Sequence, residues 1–184
     1  DTQVSVLANQ ALFYLVSGET PRRMGNAHAT VVPYQVFPVS DGHIIIACGN
    51  DGQFARLMRL LGAPEMASDP KYQTNEARVS NRAALIARMV ALTATFTRAD
   101  LLRQLEEIGV PGGPINSVAD VFDDPQVIAR EMRLDLPSAT AKGGSIPGVR
   151  TPITLNGRRA ADKRPSPRLG EHTEEILREL GEES

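Results

Sequence analysis

The sequence has only one cysteine, Cys48, so no disulfide can form within the chain. Cys48 ends the apolar run 44–48, where a lone cysteine usually acts as a small buried hydrophobe. A reactive thiol needs an accessible, electropositive setting, which this run does not offer. The lack of a disulfide is typical of a reducing compartment, and we expect a cytoplasmic protein.

The sequence also lacks long hydrophobic runs and an excess of either charge. No apolar stretch approaches the roughly 18 residues of a membrane span. The 20 basic and 22 acidic residues give a net charge of −2, so nothing favours binding to nucleic acid or to an anionic membrane. No cluster of side chains has metal-ligand spacing. We therefore expect a soluble protein with no nucleic acid, membrane or metal partner.

Hydrophobic periodicity predicts an α+β fold with an antiparallel hairpin packed on helices. With 41% hydrophobic residues, the 184-residue chain can form a sizeable core. Apolar positions at helical spacing predict a helix over 4–16. Residues 34–39 and 43–48 read as strands joined by a turn at 40–42. Further helices are predicted over 51–61, 75–94, 97–108 and 170–180, and only short elements between 110 and 159.

A loop precedes the hairpin and carries the candidate substrate-binding residues Gly25, Asn26 and His28. Glycine and asparagine both tolerate positive φ, so the first two could simply form a tight turn. Alternatively, they could place backbone N–H groups against a carboxylate or an oxyanion. His28 has no neighbouring base or nucleophile in the sequence, which favours carboxylate binding or loop ordering over proton transfer.

Two further motifs have simpler explanations. Arg78 and Arg82 lie four residues apart, and solvated ion pairs with Glu76 or Asp69 are the expected role. The segment 110–114 is rich in glycine and proline but lacks the lysine and hydroxyl of a P-loop, which predicts a rigid connection.

Motifs over nearly the whole chain resemble family III CoA-transferases, of the formyl-CoA and carnitine type. They are Arg23–His28, Val32–Phe37, Ser40–Ile46, Gly49–Phe54, Leu60–Pro64, Asp69–Asn75, Arg78–Arg82, Gly109–Pro114, Asp124–Gln126 and Leu169–Thr173. Each motif alone is weak, whereas their order and spacing together are specific.

The resemblance implies an enzyme that moves CoA between an acyl-CoA donor and a carboxylic acid. Such enzymes use an aspartate that becomes an aspartyl-CoA thioester, and the family pattern places this aspartate upstream of Asp1. We therefore expect a C-terminal portion that contains no catalytic residue and is inactive alone. Coenzyme A would enter as a thioester substrate, with no tightly bound cofactor.

The family architecture implies an intertwined homodimer whose subunits each have a large α/β lobe and a small lobe. Residues 1–24 would be a helix and linker of the large lobe, 25–122 the small lobe, and 123–184 a return segment to the large lobe. The chain would then contain an incomplete large lobe.

Two alternatives remain open. An acyl-CoA racemase would share the fold and would also carry its acid/base pair upstream, although the overall sequence pattern favours a transferase. A binding or dimerisation module without catalysis is the alternative from another functional class.

Overall fold

The computed structural model describes residues 1–160 and 164–181, and it confirms an α+β fold. The chain divides into two compact units, Asp1–Ile115 and a second that begins at Asn116. Within the described residues, no helix is both long and apolar enough to cross a membrane.

The first unit is built on a three-stranded antiparallel sheet in the order β1-β2-β3. Strand β1 (Tyr34–Val39) and strand β2 (Gly42–Ala47) form the predicted hairpin, and β3 (Gly112–Pro114) pairs with the other edge of β2. The predicted rigid connection is thus partly a strand. Glycine fits closely at Gly112, since a Cβ would lie 2.9 Å from Leu105 Cδ1 and 3.2 Å from Ile45 O, so a larger residue would have to displace its neighbours.

Only one face of β2 is buried. Ile44, Ile46 and Cys48 are fully buried, while Ile45 between them is half-buried. Strand side chains alternate between faces, so the run of three isoleucines places two of them in the core. The core is completed by apolar side chains of the helices, among them Phe54, Leu57, Met58, Leu85, Met89, Leu101 and Leu105.

The helices of the first unit follow the predicted periodicity but are shorter. They are α1 (Thr2–Val6), α2 (Ala8–Ser17), α3 (Asp51–Leu60), α4 (Glu65–Ser68), α5 (Asn75–Ser80), α6 (Arg82–Thr93) and α7 (Arg98–Glu107). Several predicted boundaries have a visible cause. Asn50 and Thr97 accept N-cap hydrogen bonds at the starts of α3 and α7, and Gly18 ends α2 in the left-handed region.

Two predicted helices are each broken in two. The predicted helix over 4–16 breaks where Ala8 has φ 46°. The one over 75–94 breaks at Asn81, whose side-chain amide donates to the carbonyl oxygens of Ala77 and Lys71. Asparagine side chains compete for backbone groups in this way, and apolar spacing does not reveal it.

The second unit contains short elements, as predicted, and two small antiparallel sheets. Its helices are α8 (Val118–Asp123), α9 (Pro125–Ala129) and α10 (Thr173–Leu180). Its strands are β4 (Arg133–Pro137), β5 (Ser145–Val149), β6 (Thr154–Leu155) and β7 (Arg158–Arg159), with β4 paired to β5 and β6 to β7. Strand β5 was not predicted, because its glycine and proline obscure the alternation.

Candidate functional site

The candidate residues lie in the 24–33 loop, which enters strand β1. The loop opens with a tight turn in which Ala27 N donates to Met24 O at 3.1 Å. Gly25 has φ +61° at the second position of this turn. No atom would contact a Cβ there, so glycine is favoured by its backbone conformation rather than by lack of space.

The side chains of Asn26 and His28 fasten the turn to the hairpin. Asn26 Oδ1 accepts from Val36 N at 3.0 Å. His28 N donates to Tyr34 O at 2.9 Å, and the two rings stack with their centroids 5.3 Å apart. His28 Nδ1 also accepts from the backbone N–H groups of Thr30 and Val31. Both side chains therefore shape the loop, whatever else they do.

Carbonyl groups of the loop are held by polar side chains of α5 and α6. Asn75 donates from Nδ2 to Thr30 O at 2.8 Å and accepts at Oδ1 from Val32 N at 3.1 Å. Arg82 Nη2 donates to Ala29 O at 2.7 Å. Burial lowers the Arg82 pKa below its usual value, and its Nη1 is buried without an acceptor.

Arg78 supports the end of the loop from inside the core. Its Nε donates to Val32 O at 2.6 Å and its Nη1 to Tyr72 O at 2.9 Å. Its Nη2 contacts Asp51 Oδ1 at 2.7 Å, and the guanidinium lies 4.5 Å from the centroid of the Phe54 ring.

The expectation of solvated ion pairs for Arg78 and Arg82 was therefore wrong. Arg78 is fully buried, and its acidic partner is Asp51 rather than Glu76 or Asp69. Arg82 binds a backbone carbonyl. A buried guanidinium is tolerated because its N–H groups find acceptors, and two of those acceptors, Val32 O and Asp51 Oδ1, are distant in the sequence.

The exposed turn of the loop carries N–H groups without a partner among the described residues. Within the part of the chain that the structure describes, no acceptor lies on the backbone N–H groups of Gly25 and Asn26, on Asn26 Nδ2 or on His28 Nε2. Unpaired N–H groups concentrated in so short a segment can bind an anionic oxygen. A pocket of about 200 Å³ adjoins the loop and is lined by residues that include Met24, Ala29 and Arg22, but Gly25, Asn26 and His28 do not line it.

The sequence analysis proposed the three loop residues as candidates and did not single out two of the residues that hold them. Asn75 and Tyr34 were not singled out, although Asn75 begins the predicted helix over 75–94 and Tyr34 begins the predicted strand. Cys48 is buried as expected, and burial raises the pKa of its thiol to about 12. The described residues contain no cluster of His, Cys, Asp and Glu that could hold a metal ion.

Residues 1–173 match the model of CoA-transferase family III. The chain belongs to that family. It is 47% identical over 180 residues to a succinate–glutarate CoA-transferase of Agrobacterium fabrum, a match that covers 98% of this chain and 44% of the relative. It is 37% identical over 179 residues to a succinyl-CoA:glutarate CoA-transferase of Mus musculus, covering 97% of this chain and 41% of the relative.

A solved structure supports the fold assignment. The crystal structure of a CAIB/BAIF family protein from Brucella suis superposes with a TM-score of 0.79 at 53% identity, covering 96% of this chain and 45% of that one. The chain thus spans less than half the length of the curated relatives and of this structure.

Proposed function

We propose that the chain is the C-terminal part of a cytoplasmic CoA-transferase that moves CoA between an acyl-CoA and a free carboxylic acid. The observation that carries this proposal is the group of unpaired N–H donors over residues 25–28, in a chain matched to the transferase family over residues 1–173. The names of the two curated relatives support dicarboxylic substrates of the succinate and glutarate class, and they favour a transferase over a racemase.

The proposed chemistry needs a nucleophilic aspartate, which the proposal places upstream of Asp1. In the proposed reaction the carboxylate of an upstream aspartate attacks the donor thioester, which forms an acyl-aspartyl anhydride and releases the CoA thiolate. The thiolate then attacks the aspartyl carbon of the anhydride, which releases the donor acid and leaves an aspartyl-CoA thioester. The acceptor carboxylate attacks this thioester to form a second anhydride, and the released thiolate attacks its acyl carbon to give the new acyl-CoA and free aspartate. Each step forms a negatively charged oxygen on an acyl carbon. Donors already fixed in place stabilise that charge without reorganising during the reaction, and this is the role proposed for the 24–33 loop.

The remaining architecture is part of the same proposal. Residues 1–24 and 123–184 would belong to the large lobe and 25–122 to the small lobe of an intertwined homodimer. The exposed apolar side chains of α2 support this assignment, since Leu12, Leu15 and Val16 are 63%, 75% and 87% exposed. In the proposed protein they would pack against another part of the large lobe or of the partner subunit.

Incubation of succinyl-CoA with isotopically labelled glutarate tests the proposal, because transfer of CoA moves the label from the free acid into the CoA thioester. The full-length protein should catalyse the exchange, whereas purified 1–184 should not, because loop donors cannot replace a nucleophile. Exchange by 1–184 alone would refute the division of labour, and no exchange by the full-length protein with any acyl-CoA and acid pair would refute the function.

A further inference from the structure

The hydrogen bonds of the His28 ring determine which of its nitrogens carries the proton. Nδ1 lies 3.2 Å from Thr30 N and 3.1 Å from Val31 N. Both backbone groups are donors, so Nδ1 must be an acceptor and carries no hydrogen. A neutral imidazole keeps one proton, which is therefore on Nε2.

Turning the ring over does not offer an equivalent arrangement. The flipped ring would place a carbon-bound hydrogen against two backbone N–H groups and would lose both hydrogen bonds. Stacking on Tyr34, with 12° between the ring planes, also holds the plane of the imidazole. The backbone hydrogen bond from His28 N to Tyr34 O fixes the main chain of the residue.

The protonated nitrogen has no acceptor of its own. No residue of 1–160 or 164–181 accepts from Nε2, and this atom, unlike Arg82 Nη1, is not buried, so solvent or a ligand can reach it. The unpaired backbone donors of Gly25 and Asn26 lie in the same short segment. A fixed and accessible N–H dipole suits a ligand with a negatively charged oxygen.

We propose that His28 is a hydrogen-bond donor of fixed tautomer, and that its Nε2–H binds a carboxylate or thioester oxygen of the acyl substrate. This inference rests on the proposed function and refines it. It also argues against His28 as a general base, because a base would need an unprotonated Nε2. The proton would then lie on Nδ1 and break both hydrogen bonds that order the loop.

Two substitutions at this position separate loop ordering from donation. In His28→Asn, the amide oxygen can occupy the place of Nδ1 and accept from Thr30 and Val31, but nothing replaces Nε2–H. In His28→Ala, both functions are lost. We expect the asparagine variant of the full-length protein to melt close to the unsubstituted protein, and the alanine variant to melt earlier.

CoA transfer distinguishes the two roles. Losing one positioned donor typically lowers kcat by roughly 10²- to 10³-fold, so both variants should lose activity by about that factor. Normal transfer by His28→Asn, with a loss only in His28→Ala, would overturn the donor role. His28 would then only order the loop, by accepting from Thr30 and Val31.

A second measurement tests the tautomer without using activity. In a long-range ¹H–¹⁵N correlation spectrum of chain 1–184, the His28 imidazole signals are those that are absent from the spectrum of His28→Asn. They should show the pattern of a proton on Nε2. A proton on Nδ1, or rapid averaging between the two tautomers, would overturn the inference.

The transfer assay and the spectrum together distinguish a failure of this inference from a failure of the proposed function. A full-length protein that transfers no CoA refutes the function and the ligand assigned to Nε2, while the spectrum still decides the tautomer. Normal transfer together with the wrong tautomer refutes this inference alone.

Discussion

Arg78 donates from Nε to the carbonyl oxygen of Val32 at 2.6 Å, although the two residues lie 46 positions apart. The contact is completely buried and joins helix α5 to the point where the 24–33 loop enters the sheet. Since the same guanidinium binds Tyr72 O and Asp51, one side chain ties together three distant segments. The position of the loop thus depends on the core of the first unit.

Replacing Arg78 with methionine should therefore destabilise the protein. The substitution keeps much of the side-chain volume but leaves buried carbonyl groups without donors, each of which costs about 1–3 kcal/mol. We expect a loss of roughly 2–4 kcal/mol in the free energy of unfolding, measured by denaturant titration.

Arg88→Met is the matched control. Arg88 pairs with Glu65 at 3.5 Å on the surface, and such exposed pairs contribute about 0–1 kcal/mol. Equal effects of the two substitutions would contradict a structural role for Arg78.

Asn75→Ala should loosen the loop while leaving the hairpin intact. The substitution removes the donor to Thr30 O and the acceptor of Val32 N, and the other anchors remain. Amide hydrogen exchange should therefore accelerate at Val32, with little change at Ile45, whose amide lies in the β1–β2–β3 sheet. Unchanged exchange at Val32 would show that Asn75 does not order the loop.

Local patterns predicted the hairpin because its determinants lie within it. The alternation along 34–39, the Asp41-Gly42 turn and the isoleucine run are all adjacent in sequence. The buried role of Arg78 could not be predicted in this way, since arginine is rarely fully buried and the partners of Arg78 are scattered over the fold.

In the candidate site, too, the features set by neighbouring residues could be predicted, whereas those that depend on the folded backbone could not. The conformational freedom of Gly25 and Asn26 indicated a turn, and the family resemblance indicated substrate binding. The acceptor role of His28 Nδ1 depends on the course of the backbone through Thr30 and Val31, which residue types do not specify. Likewise, Asn75 and Arg82 become visible as supports only once α5 and α6 are packed beside the loop.

Cys48 should make stability depend on pH only in alkaline solution. Burial raises its pKa from 9.0 to about 12, so the thiol is neutral in the folded and unfolded states below pH 9. Above pH 9 the unfolded chain loses this proton while the folded chain keeps it, and stability falls as the pH rises towards 12.

Cys48→Ala provides the control for that slope. The variant should lose stability at neutral pH through the cavity it creates, but its decline between pH 9 and 12 should be shallower. Rapid alkylation of Cys48 in the folded protein at pH 8 would contradict the buried, protonated thiol.

The most direct test of the central claim, that the 24–33 loop binds the acyl group, compares Gly25→Val with Gly25→Asn in the full-length protein. Valine is poorly tolerated at φ +61°, whereas asparagine adopts this conformation more readily. Steady-state CoA transfer and thermal melting should be measured for both. We expect Gly25→Val to lose roughly 10²-fold or more in kcat with only a modest fall in Tm, and Gly25→Asn to retain more of both. Normal kinetics with early melting in Gly25→Val would mean that the loop is only structural.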